Sequence, residues 1–204
     1  MTDIAKFRSI FEGSNIAYGT YRIERETGSG KQAGKAVVVR KPPTDDLWIA
    51  HLQGVEPSLG IIPIRPDNTC TWGCIDIDQY PLDHKGLVEK IRRLKLPLVV
   101  CRSKSGGAHV FLFTKEPIFA AEMQRYLNTC AGLLGESGRE IFPKQTEVLV
   151  ERGDTGNFLN LPYFGGDETL RYAFNDTGEA ASLTEFFGIY EQYVQPVQIG
   201  RAHV

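Results

Sequence analysis

The sequence has no excess of either charge. Its 23 Lys and Arg face 25 Asp and Glu, for a formal net charge of -2. That excludes a global basic footprint, so any contact with nucleic acid has to use locally clustered cations. There is no apolar run of about 18 residues and no N-terminal signal segment, so a soluble, cytoplasmic chain is expected. Cysteine is scarce: Cys70, Cys74, Cys101 and Cys130 are scattered. Cys70 and Cys74 lack a second pair at zinc-ligand spacing, which favours buried free thiols over a metal or disulfide site. Nothing repeats with a period of about 20–50 residues, which excludes solenoids and propellers. What is present is 204 residues with 42% apolar composition, enough for one domain with a real core.

Periodicity and punctuation divide the chain. Residues 3–12 read as a helix, 18–24 and 35–39 as strands around the glycine-bearing "RETGSGKQAG", "TDDLWIAHLQ" as a helix ending at Gly54, and "GIIPI" as a strand. From residue 72 the order is strand "TWGCIDID", helix "DHKGLVEKIRRLK" capped by Asp83, strand "LVVCR", turn "KSGG", strand "AHVFLFT", helix "FAAEMQRYLNTCAGLLG" stopped at Gly135, and strand "REIFP". This β-α-β-β-α-β order is the ferredoxin-like, RRM-like unit. The expected fold is therefore α+β. The larger unit, at 71–181, would sit beside a smaller N-terminal α/β lobe at 1–70, all within one domain over 1–204. At 182–204, "SLTEFFGIYEQYV" reads as a helix opened by a Ser182/Glu185 capping box. The "QPVQIGRAHV" after it reads as a frayed terminus or the start of a linker.

The stretch "WGCIDIDQYP" carries the first chemical signal. Ile75 and Ile77 alternate with Asp76 and Asp78, so both carboxylates leave one face of a strand. The ferredoxin-like order places the first strand centrally, flanked antiparallel by the third and fourth. The end of the first strand then meets the beginnings of the other two, which gathers Asp76, Asp78, His109 and Glu140 at one sheet edge. Ile75, Ile77, Val110, Leu112 and Ile141 would lie under the helices, and the polar set on the open face. Three clustered carboxylates need a counter-charge. Oxygen-only donors favour Mg²⁺ or Mn²⁺, shared with substrate phosphates.

The neighbouring loop suits a phosphate. Arg102 and Lys104 supply charge, Ser103 and Ser105 hydroxyls, Gly106 and Gly107 close backbone approach, and His109 a donor. Lys144 and Gln145 follow Glu140 closely enough to reach the same pocket. Asn157 and Asn160 are polar residues in an otherwise strand-like run, as compatible with a structural role as with nucleotide binding.

The segments "CIDID", "RSKSGGAHVFLF", "EIFPKQ" and "GNFLNLPYF", in this order between residues 72 and 165, resemble the archaeo-eukaryotic primase superfamily, most of all the primase-polymerases of phages and mobile elements. The resemblance implies an RRM-like palm beside a smaller N-terminal lobe. It matches Asp76 and Asp78 to the first acidic motif and His109 to the nucleotide-binding histidine. The third carboxylate is Glu140 or its rival Glu147; many relatives carry Asp there. The implied activity is template-directed nucleotidyl transfer, in primer synthesis, extension or both. Two divalent ions would be held by Asp76, Asp78 and Glu140. The implied partners are nucleoside triphosphates and a single-stranded DNA template with its primer, and a helicase or other replication domain following this segment.

Two other classes stay open on the residues alone. One is a non-catalytic RRM-like module, although "SGGAHVFL" puts Gly107 and His109 where stacking aromatics belong. The other is a metal-dependent nuclease or other phosphoryl-transfer enzyme, which an acidic cluster also permits.

Overall fold

A computed structural model describes residues 2–26 and 32–196 of the chain. In order, the elements are α1 (Asp3–Phe11), β1 (Tyr18–Glu26), β2 (Gln32–Val39), α2 (Asp45–Leu52), β3 (Ser58–Ile61), β4 (Thr69–Ile77), α3 (His84–Arg93), β5 (Val99–Arg102), β6 (Ala108–Phe119), α4 (Ala120–Leu134), β7 (Glu140–Phe142), β8 (Leu159–Asn160), β9 (Ala173–Phe174), β10 (Ala180–Ala181) and α5 (Leu183–Tyr193). The fold is α+β with two antiparallel sheets. The first has the order β2-β1-β3-β8, the second β10-β9-β5-β6-β4-β7. The ferredoxin-like quartet is the β5-β6-β4-β7 part of the second sheet, with β4 flanked by β6 and β7 as the element order dictates. β9 and β10 extend its other edge.

Local chemistry sets the helix limits. The Asp83 carboxylate accepts the Gly86 N–H at 2.9 Å to open α3. Gly135, at φ +74, closes α4 in the left-handed region open to glycine. Ser182 and Glu185 form the reciprocal capping box of α5. Among the described residues, no helix is long and apolar enough to cross a membrane.

One face of the second sheet behaves as the alternation dictates. Ile75, Ile77, Val110 and Leu112 are buried against Leu87, Val88 and Ile91 of α3 and Met123 and Leu127 of α4. The opposite face differs from expectation, because most of it is closed. Trp72, Cys74, Phe111, Phe113 and Phe142 share it with Asp76 and His109 and are buried under Phe7 and Phe11 of α1, Trp48 of α2 and Phe186 of α5. Phe11 packs edge-on against Phe111 at 5.4 Å and Phe113 at 5.6 Å, and stacks on Phe186 at 5.8 Å. A register shift between Cys70 and Trp72 makes this possible: Cys70 stays on the α3/α4 side, while Trp72 turns to the other. Only the end of this face, where Asp76 and His109 sit, remains polar.

The two sheets are woven together. β8 follows β7 in the chain but pairs with β3 of the first sheet through Gly60↔Asn160 and Ile61↔Leu159. His51 of α2 joins them, accepting the Leu59 N–H at Nδ1 (3.1 Å) and donating from Nε2 to the Pro162 carbonyl (2.8 Å). Helix α5 packs back into the core, and Gln195 after it pairs with β6 next to Phe113 and Lys115. Most of the expected linker, residues 197–204, and the tip of the β1–β2 hairpin, residues 27–31, lie outside the described residues. The four cysteines are free and buried. Burial pushes the Cys70 thiol up to about 12 and the Cys74 and Cys101 thiols well above their ordinary range.

Candidate active site at the end of the second sheet

Register builds the site. Asp76 lies opposite His109 of β6 on one side and Glu140 of β7 on the other. Side chains directly opposite on antiparallel strands share a face, so Glu140, Asp76 and His109 form one cross-strand row. Asp78 lies just past the end of β4, exposed, with the Tyr80 hydroxyl donating to it at 2.9 Å. Glu147 is exposed in the irregular segment after β7 and has no place in the row. Residues 146–149 lie outside any strand. Val148 is anchored by Asn68 Oδ1 (2.8 Å), and residues Val150–Arg152 make a single 3₁₀ turn.

The electrostatics follow from the row. Burial first, then the Asp78 and Glu140 charges, push the Asp76 carboxyl up to about 7, partly offset by Lys144. Its Oδ1 is buried and without a hydrogen-bond partner. His109 Nε2 is 3.6 Å from that oxygen, beyond hydrogen-bond range. Burial holds His109 down to about 4 against the pull of Asp78, with Arg171 acting in the same direction as burial. The imidazole is therefore neutral at neutral pH. Lys144 Nζ pairs with Glu140 Oε2 at 2.7 Å, so the lysine does reach the carboxylates.

The loop at residues 103–107 is arranged differently from the expected phosphate cradle. It is a closed turn: the Gly106 N–H donates to the Ser103 carbonyl (3.1 Å) and the Ser103 N–H to the Gly107 carbonyl (2.9 Å). Gly107 is required by close approach, since a Cβ there would lie 2.2 Å from the Ile77 carbonyl oxygen. His84 Nε2–H also donates to the Gly107 carbonyl (2.9 Å) and pins the turn. Arg102 donates to the Leu170 carbonyl (3.2 Å), and Lys104 stands 3.2 Å over the Tyr21 ring. Gln145 and Asn157 clasp each other: the Gln145 amide donates to Asn157 Oδ1, and the Asn157 N–H donates to Gln145 Oε1. Asn160 belongs to the first sheet, with its Oδ1 buried and without a partner.

Sequence reasoning missed Arg171. This arginine is 8% exposed, its Nη1 is buried without a partner, and its guanidinium lies 5.1 Å from the Phe164 ring. Its signal, a charge next to the buried pair Ala173–Phe174, becomes legible only once β9 is known to pair with β5.

The donor set suits a hard divalent cation. Three carboxylates gather there, and one buried carboxylate oxygen is unsatisfied. Among the described residues, no three His, Cys, Asp or Glu side chains are placed together to hold a metal ion. The chain matches, over residues 2–177, the family model described as the archaeo-eukaryotic primase domain of the TOTE conflict system. No curated protein matches it.

Proposed function

The chain belongs to the archaeo-eukaryotic primase domain family of TOTE conflict systems, and we propose that it is a template-directed nucleotidyltransferase that synthesises or extends primers. The observation that carries this reading is the row Glu140–Asp76–His109, with Asp78 at its end. It sets a group of carboxylates that needs positive charge beside a neutral imidazole that can donate to a phosphate. Domains of this family typically use divalent metals. Asp76, Asp78 and Glu140 would hold two Mg²⁺ or Mn²⁺ ions. Bound there, the ions would lower the pKa of the attacking 3′-hydroxyl and neutralise charge on the triphosphate.

The chain's own groups do the rest. The 3′-oxygen of a primer, or of a first nucleotide, forms a bond to the α-phosphorus of the incoming nucleotide. The bond from that phosphorus to the β-bridging oxygen breaks, pyrophosphate leaves, and the hydroxyl proton passes to solvent. His109 orients the triphosphate by donating from Nε2. Lys144, exchanging Glu140 for phosphate, adds charge on the same side. The closed turn at 103–107 holds the strand ends in register, so that His109 meets the substrate without reorganising.

The burial pattern disfavours the RRM-like alternative. The sheet face on which such modules stack bases is filled by Trp72, Phe111 and Phe113 beneath α1 and α5. The test is primer extension and de novo synthesis with each nucleotide set, in Mg²⁺ and in Mn²⁺. The wild type should release pyrophosphate as product lengthens, and Asp78→Asn should lose at least a hundredfold in rate. Near-normal synthesis by a folded Asp78→Asn protein, or degradation of the nucleic acid instead of extension, would refute the proposal.

A further inference from the structure

A cavity of about 580 Å³ opens where the end of α1, the entry to α2 and the turn between β3 and β4 meet. It is remote from the carboxylate row. The turn delivers the chain into β4 at Thr69, and Asp76 lies near the other end of that strand, roughly 20 Å away at the rise of an extended chain. The size suits one small organic ligand.

The walls are fixed. A Cβ on Gly13 would lie 2.1 Å from the Ile62 carbonyl oxygen, which accepts the Ser14 N–H at 2.8 Å. Trp72 of β4 donates from Nε1 to the Glu12 carbonyl (3.0 Å). Phe7 packs edge-on against Trp48 at 6.2 Å. The lining is exposed at Glu12, Pro42 and Asp67 and buried at Ser14 and Trp48, so it has a wet rim and a dry depth.

Charge in the cavity is already balanced. Arg8 donates from Nε to Glu12 Oε1 (3.2 Å) and pairs with Asp45. Arg65 donates from Nη2 to Thr71 Oγ1 (3.3 Å). Hydrogen bonds from Thr69 first, and the Arg65 charge with them, hold the Asp67 carboxyl below its ordinary range. Among the described residues that line the cavity, no cation is left over for a phosphate. A neutral donor is left over instead. The Trp72 indole has the Glu12 carbonyl, whereas the indole N–H of Trp48, a residue 1% exposed, has no acceptor. Buried indoles ordinarily find one, and an unpaired one costs stability unless a ligand supplies the acceptor. A carboxylate accepts at about four positions, so Glu12 and Asp67 keep capacity for donors. Pro42, Pro43 and Pro66 add apolar surface for a flat ring.

We propose that this cavity binds a neutral nucleobase that carries a carbonyl beside a ring N–H, as guanine, thymine and uracil do, with the carbonyl accepting from Trp48 Nε1 and the ring donors meeting Glu12 and Asp67. For a chain of a primase family, such a base arrives as a free nucleoside or as an unpaired base of a single strand. No residue of the Glu140–Asp76–His109 row takes part, so the site is independent of nucleotidyl transfer.

The test reads the indole ¹H–¹⁵N signals of Trp48 and Trp72 in the whole chain, in EDTA so that metal-dependent nucleotide binding is suppressed. Guanosine and a single-stranded oligothymidylate are titrated separately. A shift of the Trp48 signal with guanosine assigns a free nucleoside, and a shift with oligothymidylate alone assigns a strand-borne base. The Trp72 signal should move less, and inorganic phosphate should move neither. Adenosine and oligoadenylate, which lack the carbonyl, should bind roughly tenfold more weakly than their counterparts. Trp48→Phe, which keeps a ring and removes the N–H, should weaken binding of the probe that shifts the signal roughly five- to tenfold. Asp67→Asn, which keeps an oxygen for the Thr69 turn, should weaken it too and decides the question should the Trp48 variant not fold. A Trp48 signal unmoved by both probes, equal binding of the adenine and carbonyl-bearing probes, or unchanged binding by the folded variants would overturn the assignment.

Discussion

Replacing Asp76 by asparagine should stabilise the metal-free protein, and more so at pH 8 than at pH 5. The carboxyl titrates near 7 in the fold, against an ordinary value of 3.8, because it is buried beside Asp78 and Glu140. A folded-state pKa raised in this way means that the native protein holds the proton more tightly than the unfolded chain. Stability is therefore greatest below pH 4 for this group and is lost as pH rises through 7. At about 1.36 kcal/mol per pH unit, the ionised carboxylate costs the fold up to about 4 kcal/mol at pH 8 and about 1.7 kcal/mol at pH 5. Relaxation around a side chain that keeps 17% of its surface brings the gain at pH 8 to about 2–4 kcal/mol. In a domain of this size that is roughly 4–12 °C in Tm. The assay is thermal or urea unfolding of both proteins in EDTA at the two pH values. A second arm adds Mn²⁺, which should raise the wild type and leave Asp76→Asn where it was, closing the gap. A variant less stable than the wild type in EDTA, or a gain independent of pH, would refute the reasoning.

Three further outcomes follow from the same geometry. Glu140→Gln should reduce metal-dependent synthesis by at least a hundredfold and Glu147→Gln should leave most of it, because Glu140 pairs with Asp76 whereas Glu147 is exposed outside the row; paired rate measurements on the two variants check this, and the reverse ranking would contradict it. His109→Ala should weaken nucleotide binding roughly tenfold or more and template binding little; equal losses in both titrations would remove the phosphate-facing role. Gly107→Ala drives a Cβ to 2.2 Å from the Ile77 carbonyl oxygen and should cost about 1–3 kcal/mol by forcing β4 and β6 apart at the site; an unfolding midpoint equal to the wild type would show that the turn is looser than described.

The alternation in β4 made Asp76 legible, and the element order was enough to set Glu140 and His109 against it. These are short-range pattern and topology, which sequence encodes directly. The closed face was harder to read. The bulge between Cys70 and Trp72 changes which side each residue serves, and the covering aromatics come from α1 and α5 at opposite ends of the chain. Arg102 and Lys104 suit phosphate by residue type, and sequence does not reveal that the fold also sets them against the Leu170 carbonyl and the Tyr21 ring. Arg171 was invisible for the converse reason. Its neighbours in sequence carry no motif, and its place within electrostatic reach of His109 depends on the short strand β9 pairing with β5.

The central claim is that the carboxylate–histidine row performs template-dictated synthesis. The most direct measurement offers the metal-loaded protein a primed single-stranded template with one unpaired base type and each of the four nucleotides separately. The account predicts extension by the complementary nucleotide alone, with one pyrophosphate released per residue added, and loss of that extension in EDTA and in a folded Asp76→Asn protein. Extension indifferent to the template base, or undiminished in Asp76→Asn, would contradict it.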